Sequence, residues 1–249
     1  VLSIEYKGHG DMVRCITIDK SGQYLASGSD DTTVKIWEIN TGRCLKTINT
    51  DGIVRSIEWC PNAAISLILI ASNNRVLLIN PHVGDFLVCS KTDTILSEFA
   101  SGSNEVIQND RVKSSVQWIC DIPSNDYEGG HRIALKHFKE VSQVTWHGRG
   151  DYFASVMPEG QNRSVLISQL SKRRSQLPFS KSKGLVQSVL FHPVRPLLFV
   201  ATQKHVRIYD LLKQQLIKKL LTNSRWVSTM DVHPGGDNLL VGTYDRKML

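Results

Sequence analysis

The sequence is poor in the features that announce chemistry. Its 249 residues contain no Gly-x-Ser-x-Gly elbow, no His-Glu-x-x-His pair, no phosphate-binding Gly-rich loop and no paired-carboxylate signature. These absences argue against an enzyme. The five cysteines (Cys15, Cys44, Cys60, Cys89, Cys120) are odd in number and widely spaced, without a Cys-x-x-Cys pair. That excludes a recognisable zinc site or disulfide framework and fits reduced thiols in a cytosolic or nuclear protein. Cys15 and Cys44, inside apolar runs, read as small core residues. No apolar run approaches the roughly 20 residues needed to cross a bilayer. The opening VLSIEYKG lacks the charged start, apolar centre and cleavage site of a signal peptide. It also lacks an initiator Met, so the expectation is a piece of a longer chain. Acids are the scarcer charge, 23 Asp and Glu against 30 Lys and Arg, for a net charge of +7. A basic balance favours anionic partners.

What is present is short β-runs and turns. The stretch 8–38, GHGDMVRCITIDKSGQYLASGSDDTTVKIWE, alternates apolar runs with tight turns, a β-meander rather than a helix. His9, Asp31 and Trp37, with Ser27 or Ser29 supplying a hydroxyl, fall at the positions of the WD-repeat signature. In that repeat a histidine, a hydroxyl, a turn aspartate and a tryptophan hydrogen-bond to one another and lock a four-stranded blade. Buried polar groups must find such partners or cost stability. The spacing therefore has a physical reason, and His9 is structural.

The start of this unit recurs. Val13, Val54, Val141, Val186 and Val227 each open a similar run, at intervals of 41, 87, 45 and 41 residues. Three of these match the roughly 40–45-residue period of a propeller blade. Only the first copy keeps the full tetrad, so apolar packing is expected to hold the others. The reading is an all-β WD40 propeller with about four and a half blades present and seven expected in the complete domain. Blade 1 covers about 8–49, blade 2 about 50–138, blade 3 about 139–182 and blade 4 about 183–222, with the start of blade 5 at about 223–249. Ser3–Lys7 reads as an outer strand of a neighbouring blade. The long interval is explained by an insertion at 85–130 between the third and fourth strands of blade 2. It carries eight acids against three Lys and Arg and a short helix near Thr94–Phe99. Long loops are usually functional or disordered.

Charge then reverses: from Ser171 to Arg225 there are twelve Lys and Arg against Asp210 alone. Lys172, Arg173, Arg174, Lys181, Lys183, Lys204, Arg207, Lys218 and Lys219 are the candidate RNA-phosphate contacts. No aromatic platforms interleave with them, so base-specific readout is not supported. The bland alternative is a solvated outer face. Arg14 and Arg55 share one register at the channel rim and are candidate partner contacts, since Arg is enriched at interface hot spots. Lys35 and Arg43 are further candidates on blade 1. His147, His192 and His233 recur at one turn position, one per blade, and cannot converge on a metal. No metal or other cofactor is expected.

Several segments go beyond a general WD repeat. WHGRGDY (146–152), QLSKRRSQLPF (169–179) and HPGGDN (233–238) closely resemble the C-terminal propeller of the block-of-proliferation (Bop/Erb) ribosome biogenesis proteins. The resemblance covers nearly the whole chain except the insertion. It implies a nucleolar and nucleoplasmic scaffold in maturation of the large ribosomal subunit and its rRNA. It also implies docking of a Ytm-type WD-repeat protein, and a pescadillo-type protein engaged mainly outside this segment. The alternative is a WD-repeat substrate receptor of a ubiquitin ligase, which would use a rim Arg cluster such as Arg14 and Arg55.

Overall fold

The computed structural model describes residues 3–101, 109–179 and 184–249. Its sheets are antiparallel and, in all but the second blade, run in chain order, the arrangement that short alternating runs and tight turns dictate. Blade 1 is β1 (Val13–Ile18), β2 (Tyr24–Ser29), β3 (Thr33–Glu38) and β4 (Cys44–Asn49). Blade 2 is β5 (Val54–Trp59), β6 (Ile68–Ser72), β7 (Arg75–Ile79) and β9 (His131–His137), with β8 (Val116–Ile119) added outside β9 as a fifth strand. Blade 3 is β10 (Gln143–Trp146), β11 (Tyr152–Val156), β12 (Val165–Gln169) and β13 (Arg174–Gln176). Blade 4 is β14 (Val186–Phe191), β15 (Leu197–Thr202), β16 (His205–Asp210) and β17 (Gln215–Leu221). A two-stranded sheet, β18 (Val227–Val232) and β19 (Leu239–Thr243), follows, with a bridge from Gly242 to Met248. The chain is thus a partial all-β propeller with an insertion in its second blade.

The cores lie between blades. One cluster joins Ala26, Val34 and Ile36 of blade 1 to Val54, Ile57, Ile68 and Ile70 of blade 2. Gly28 is required at that seam, because a Cβ there would stand 2.3 Å from Val54 Cγ1. A second cluster joins blades 2 and 3 through Leu69, Leu78, Leu135, Val144, Phe153 and Leu166, and a third joins blades 3 and 4.

Packing alone is not what holds the blades lacking a tetrad. The inner strands are also stitched by side chains that pair with the next blade's backbone. Thr17 Oγ1 accepts from the Trp59 amide at 3.1 Å. Ser56 Oγ accepts from the Val144 amide at 3.2 Å, and Glu58 Oε2 from the Trp146 amide at 3.0 Å. The Gln143 carboxamide closes both bonds to Val189, accepting from its amide at 2.8 Å and donating to its carbonyl at 3.1 Å. Such bonds satisfy strand amides that no neighbouring ladder reaches.

The structure adds one element to the sequence reading and corrects three expectations. The insertion contains a strand, β8, although its four residues show no alternation. The helix expected near Thr94–Phe99 is α1, spanning Phe86–Ser101, followed by the short α2 (Asp110–Lys113) and α3 (Ser124–Gly129). Cys44 is exposed rather than core, because it sits at the start of outermost strand β4, while Cys15 is half-buried. Ser3–Lys7 forms no strand; instead Tyr6 turns edge-on to Trp37 at 5.7 Å and its hydroxyl donates to the Ile39 carbonyl.

Candidate docking and nucleic-acid interface

The rim beside blade 1 is fixed by a chain of polar contacts that begins under it. Trp37 is 2% exposed and donates Nε1 to Ser27 Oγ at 2.8 Å. Ser27 Oγ lies 2.7 Å from His9 Nε2, and His9 Nδ1 lies 2.8 Å from Asp31 Oδ2. Asp31 also accepts from the Gly10 amide and from Thr33, and these donors hold its carboxyl well below the usual carboxylate range despite its partial burial. Ser27, not Ser29, is therefore the tetrad hydroxyl. Neighbours at Ser27 ± 2 point to the same face of the strand, so the sequence leaves the choice open. Ser29 instead donates to the Asp11 carbonyl and accepts from the Asp31 amide, closing the turn.

Asp30, next to the tetrad aspartate, holds Arg14. The guanidinium donates through Nε and Nη2 to both carboxylate oxygens, and this fork lowers the Asp30 carboxyl and raises Arg14. Arg55, one blade on and exposed, lies near enough to lower Asp30 further by its charge. The rim thus presents two arginines sharing one acid, with Arg55 free of the fork. Lys35 is half-buried and donates to Thr47 Oγ1 at 2.9 Å on the outer face, away from that pair. Arg43 is exposed at the base of β4.

The basic residues of blades 3 and 4 do not form one patch. Lys172 is exposed in a turn. Arg173 is half-buried and donates Nη2 to the Leu96 carbonyl at 2.9 Å, tying blade 3 to α1, while its buried Nε has no partner among the described residues. Arg174 is half-buried, and Arg207 is 9% exposed. Arg173 and Arg207 are thereby corrected from free phosphate contacts to largely covered groups. Lys204, His205, Arg207 and Lys219 do gather: desolvation first, and then the charges of Lys219, Arg207 and Lys204, hold the His205 imidazole below its usual range. Lys218 precedes Lys219 on a strand and so turns to the opposite face. Lys181 and Lys183 lie outside the described residues.

Three histidines that the sequence marks as recurrent do the same work. The Nδ1 atoms of His147, His192 and His233 accept the amides of Arg149, Val194 and Gly235, each two residues on. A fourth histidine escapes sequence reasoning. His137, four residues before Val141 as His9 is four before Val13, places Nε2 2.9 Å from Ser155 Oγ, the counterpart of Ser27. It is buried, and burial pushes its imidazole down to about 4. Its signal is the spacing to the strand valine; the missing glycine before it hides it. Among the described residues no group of His, Cys, Asp and Glu is placed to hold a metal, and no helix is long and apolar enough to cross a membrane.

Comparison with known proteins agrees with this architecture. Residues 1–38 match the family model described as "WD domain, G-beta repeat". Over 249 residues, all of this chain, the sequence is 62% identical to a Drosophila virilis protein named ribosome biogenesis protein BOP1 homolog. Similarly named proteins of Culex quinquefasciatus and Drosophila ananassae are 60% and 61% identical over 247 residues, 99% of this chain. The chain spans only 28–32% of the length of these relatives.

Proposed function

We propose that this chain, a WD-repeat segment of the BOP1 homologue family, is a non-catalytic docking scaffold in biogenesis of the large ribosomal subunit. The observation that carries the reading is identity of 60–62% across 99–100% of the chain to relatives bearing that name. The physical character of the molecule is in keeping with it: rigid blades stitched to one another, and exposed cations on rim and edge. The scaffold works in the nucleolus and nucleoplasm, on pre-60S particles. A Ytm-type WD-repeat protein docks at the rim around Arg55 and Arg14, with Lys35 and Arg43 at the margin. A pescadillo-type protein joins the same assembly mainly through sequence outside this segment. Pre-rRNA phosphates meet Lys172, Lys204 and Lys219, with Arg174, Lys181, Lys183 and Lys218 adding charge, and Arg173 and Arg207 supporting from behind.

Two variants of the full-length protein test this division. Arg14→Glu with Arg55→Glu should abolish capture of the Ytm-type protein and leave RNA crosslinking intact. Reversal of Lys172, Lys204 and Lys219 should do the opposite and flatten the salt dependence of RNA binding, since fewer counterions are released. Loss of neither activity would remove both surfaces from the proposal. Stable capture of a ubiquitin-ligase adaptor, with no RNA crosslink in the wild type, would favour a substrate receptor instead.

A further inference from the structure

The acidic count of the insertion conceals a polarity. Asp85, Asp93, Asp121, Asp126 and Glu128 lie toward the end of blade 2 where β7 finishes and β9 begins, whereas α2, beside the far end of β9, carries Arg111 and Lys113 with one acid, Asp110. There the insertion, the connection after β9 and the 3₁₀ turn Pro158–Arg163 of blade 3 enclose a hollow of 380 Å³. Among the described residues, three cations from three separate segments line it, Arg111, Lys139 and Arg163, against one acid, Glu159. Lys139 and Glu159 are both well exposed and approach only to 4.0 Å, so that pair neutralises little.

Arg163 is held in place before any ligand arrives. Its guanidinium carbon stands 4.1 Å from the centre of the Phe138 ring, and Nη1 donates to Ser114 Oγ at 3.1 Å and Ser115 Oγ at 3.2 Å. These contacts take one face and one nitrogen, which fixes the direction of the remaining edge. A planar fork so fixed suits the oxygens of a phosphate. At the mouth Gln161 adopts φ 54° and ψ −120°, a sparsely populated backbone for a residue with a side chain.

We infer that this hollow binds a phosphomonoester, presented on a phosphorylated serine or threonine of a partner protein. A monoester carries a charge of about −1.5 to −2 with three acceptor oxygens, the complement of three cations lining one hollow. An RNA backbone offers one charge per phosphate and is held by extended grooves with exposed aromatic platforms. Among the described residues the one aromatic lining the hollow, Phe138, is covered by Arg163.

The test uses the full-length protein and three immobilised probes: a degenerate peptide library with a fixed phosphoserine, the same library with serine, and an oligouridylate. The wild type should be retained about tenfold better by the phosphoserine library than by the serine library, the scale of a charge-assisted fork. Arg111→Glu with Lys139→Glu, both at exposed positions, should erase that preference and leave oligouridylate binding unchanged. Arg163→Lys, which keeps the charge but not the fork or the stacking, should lose most of it. Equal retention of the two libraries by the wild type would overturn the inference. So would a double variant that keeps its phosphoserine preference, or one whose only loss is oligouridylate binding.

Discussion

The second strands of blades 1 and 3 each pair a serine with a histidine four residues ahead of the blade's first valine, and the two blades finish the lock with different tryptophans. In blade 1 the chain is internal: His9, Ser27, Asp31 and Trp37 all belong to the unit they hold. In blade 3 His137 and Ser155 reproduce the first contact, but register places Ser168 where blade 1 has Trp37, since Phe153 pairs with Ser168 as Leu25 pairs with Trp37. An indole arrives there from outside. Trp118, on insertion strand β8, packs 6.2 Å from Phe153 and donates Nε1 to Ser175 Oγ, which in turn lies 2.8 Å from Ser168 Oγ. A lost strand tryptophan has thus been replaced by one borrowed from the neighbouring blade. The insertion is part of blade 3's support, and Arg173 anchors it from the opposite side.

The sharpest way to break this comparison is Trp37→Ala. It removes a buried indole, the edge contact to Tyr6 and the donor to Ser27, and should cost about 3–5 kcal/mol of blade stability. The full-length protein's denaturant midpoint would report it. Trp37→Phe keeps most of the volume and should cost about 1–2 kcal/mol, the price of the unmade hydrogen bond. A loss near zero for Trp37→Ala would mean that blade 1, like blade 3, is held from outside.

Acid should separate the two blades next. The His137 imidazole, held at about 4 by burial, resists protonation that the unfolded chain accepts near 6.5. Its folded value is the depressed one, so the neutral form contributes stability that falls away between pH 6.5 and about 4, by up to about 3 kcal/mol. Asp31 is also depressed, but as a carboxylate its contribution persists until pH falls below roughly 4. Mild acid should therefore loosen blade 3 before blade 1. Denaturant midpoints between pH 7 and 4, wild type against His137→Gln, check this: the variant should lack the wild type's slope.

The seam between blades 2 and 3 carries an effect of comparable size and opposite sign. Burial pushes the Glu58 carboxyl up to about 7, against the pull of Thr145 and the Trp146 amide. Because the folded value is the raised one, the wild type loses stability as pH climbs from about 4.5 to about 7. Glu58→Gln keeps an acceptor for the Trp146 amide and should be more stable than wild type at pH 8 by up to about 3 kcal/mol. At pH 4 the two should be equal. The seam between blades 1 and 2 uses the uncharged Thr17 for the same task, so Thr17→Val should destabilise without any such pH dependence.

How much of this could be read in advance depends on whether a feature repeats. The strand-opening valines and turn histidines recur once per blade, and a period averages out local accident. Trp37 and Asp31 were legible because all four tetrad positions occur together. β8 was not, since Val116-Gln117-Trp118-Ile119 is too short to show a period and pairs only because β9 exposes an edge to it. Nor could composition assign the basic stretch. Lys218 and Lys219 are consecutive and face apart, while Arg173 is drawn inward by a helix carbonyl some 77 residues away in sequence. His137 lay in plain view without its glycine.

Trp118→Phe probes the smallest and most telling difference. The ring volume that rests on Phe153 is largely kept, and only the bond to Ser175 is removed, so the cost should be about 0.5–1.5 kcal/mol. Its location matters more than its size. Hydrogen exchange should quicken at the amides of β12 and β13, in a blade to which Trp118 does not belong by sequence, and stay unchanged in β2 and β3. Faster exchange confined to β8 and β9 would make the insertion a passive extra strand. Acceleration across the seam would show that blade 3 folds around a residue lent by blade 2, as the paired contacts of Trp118 with Phe153 and Ser175 require.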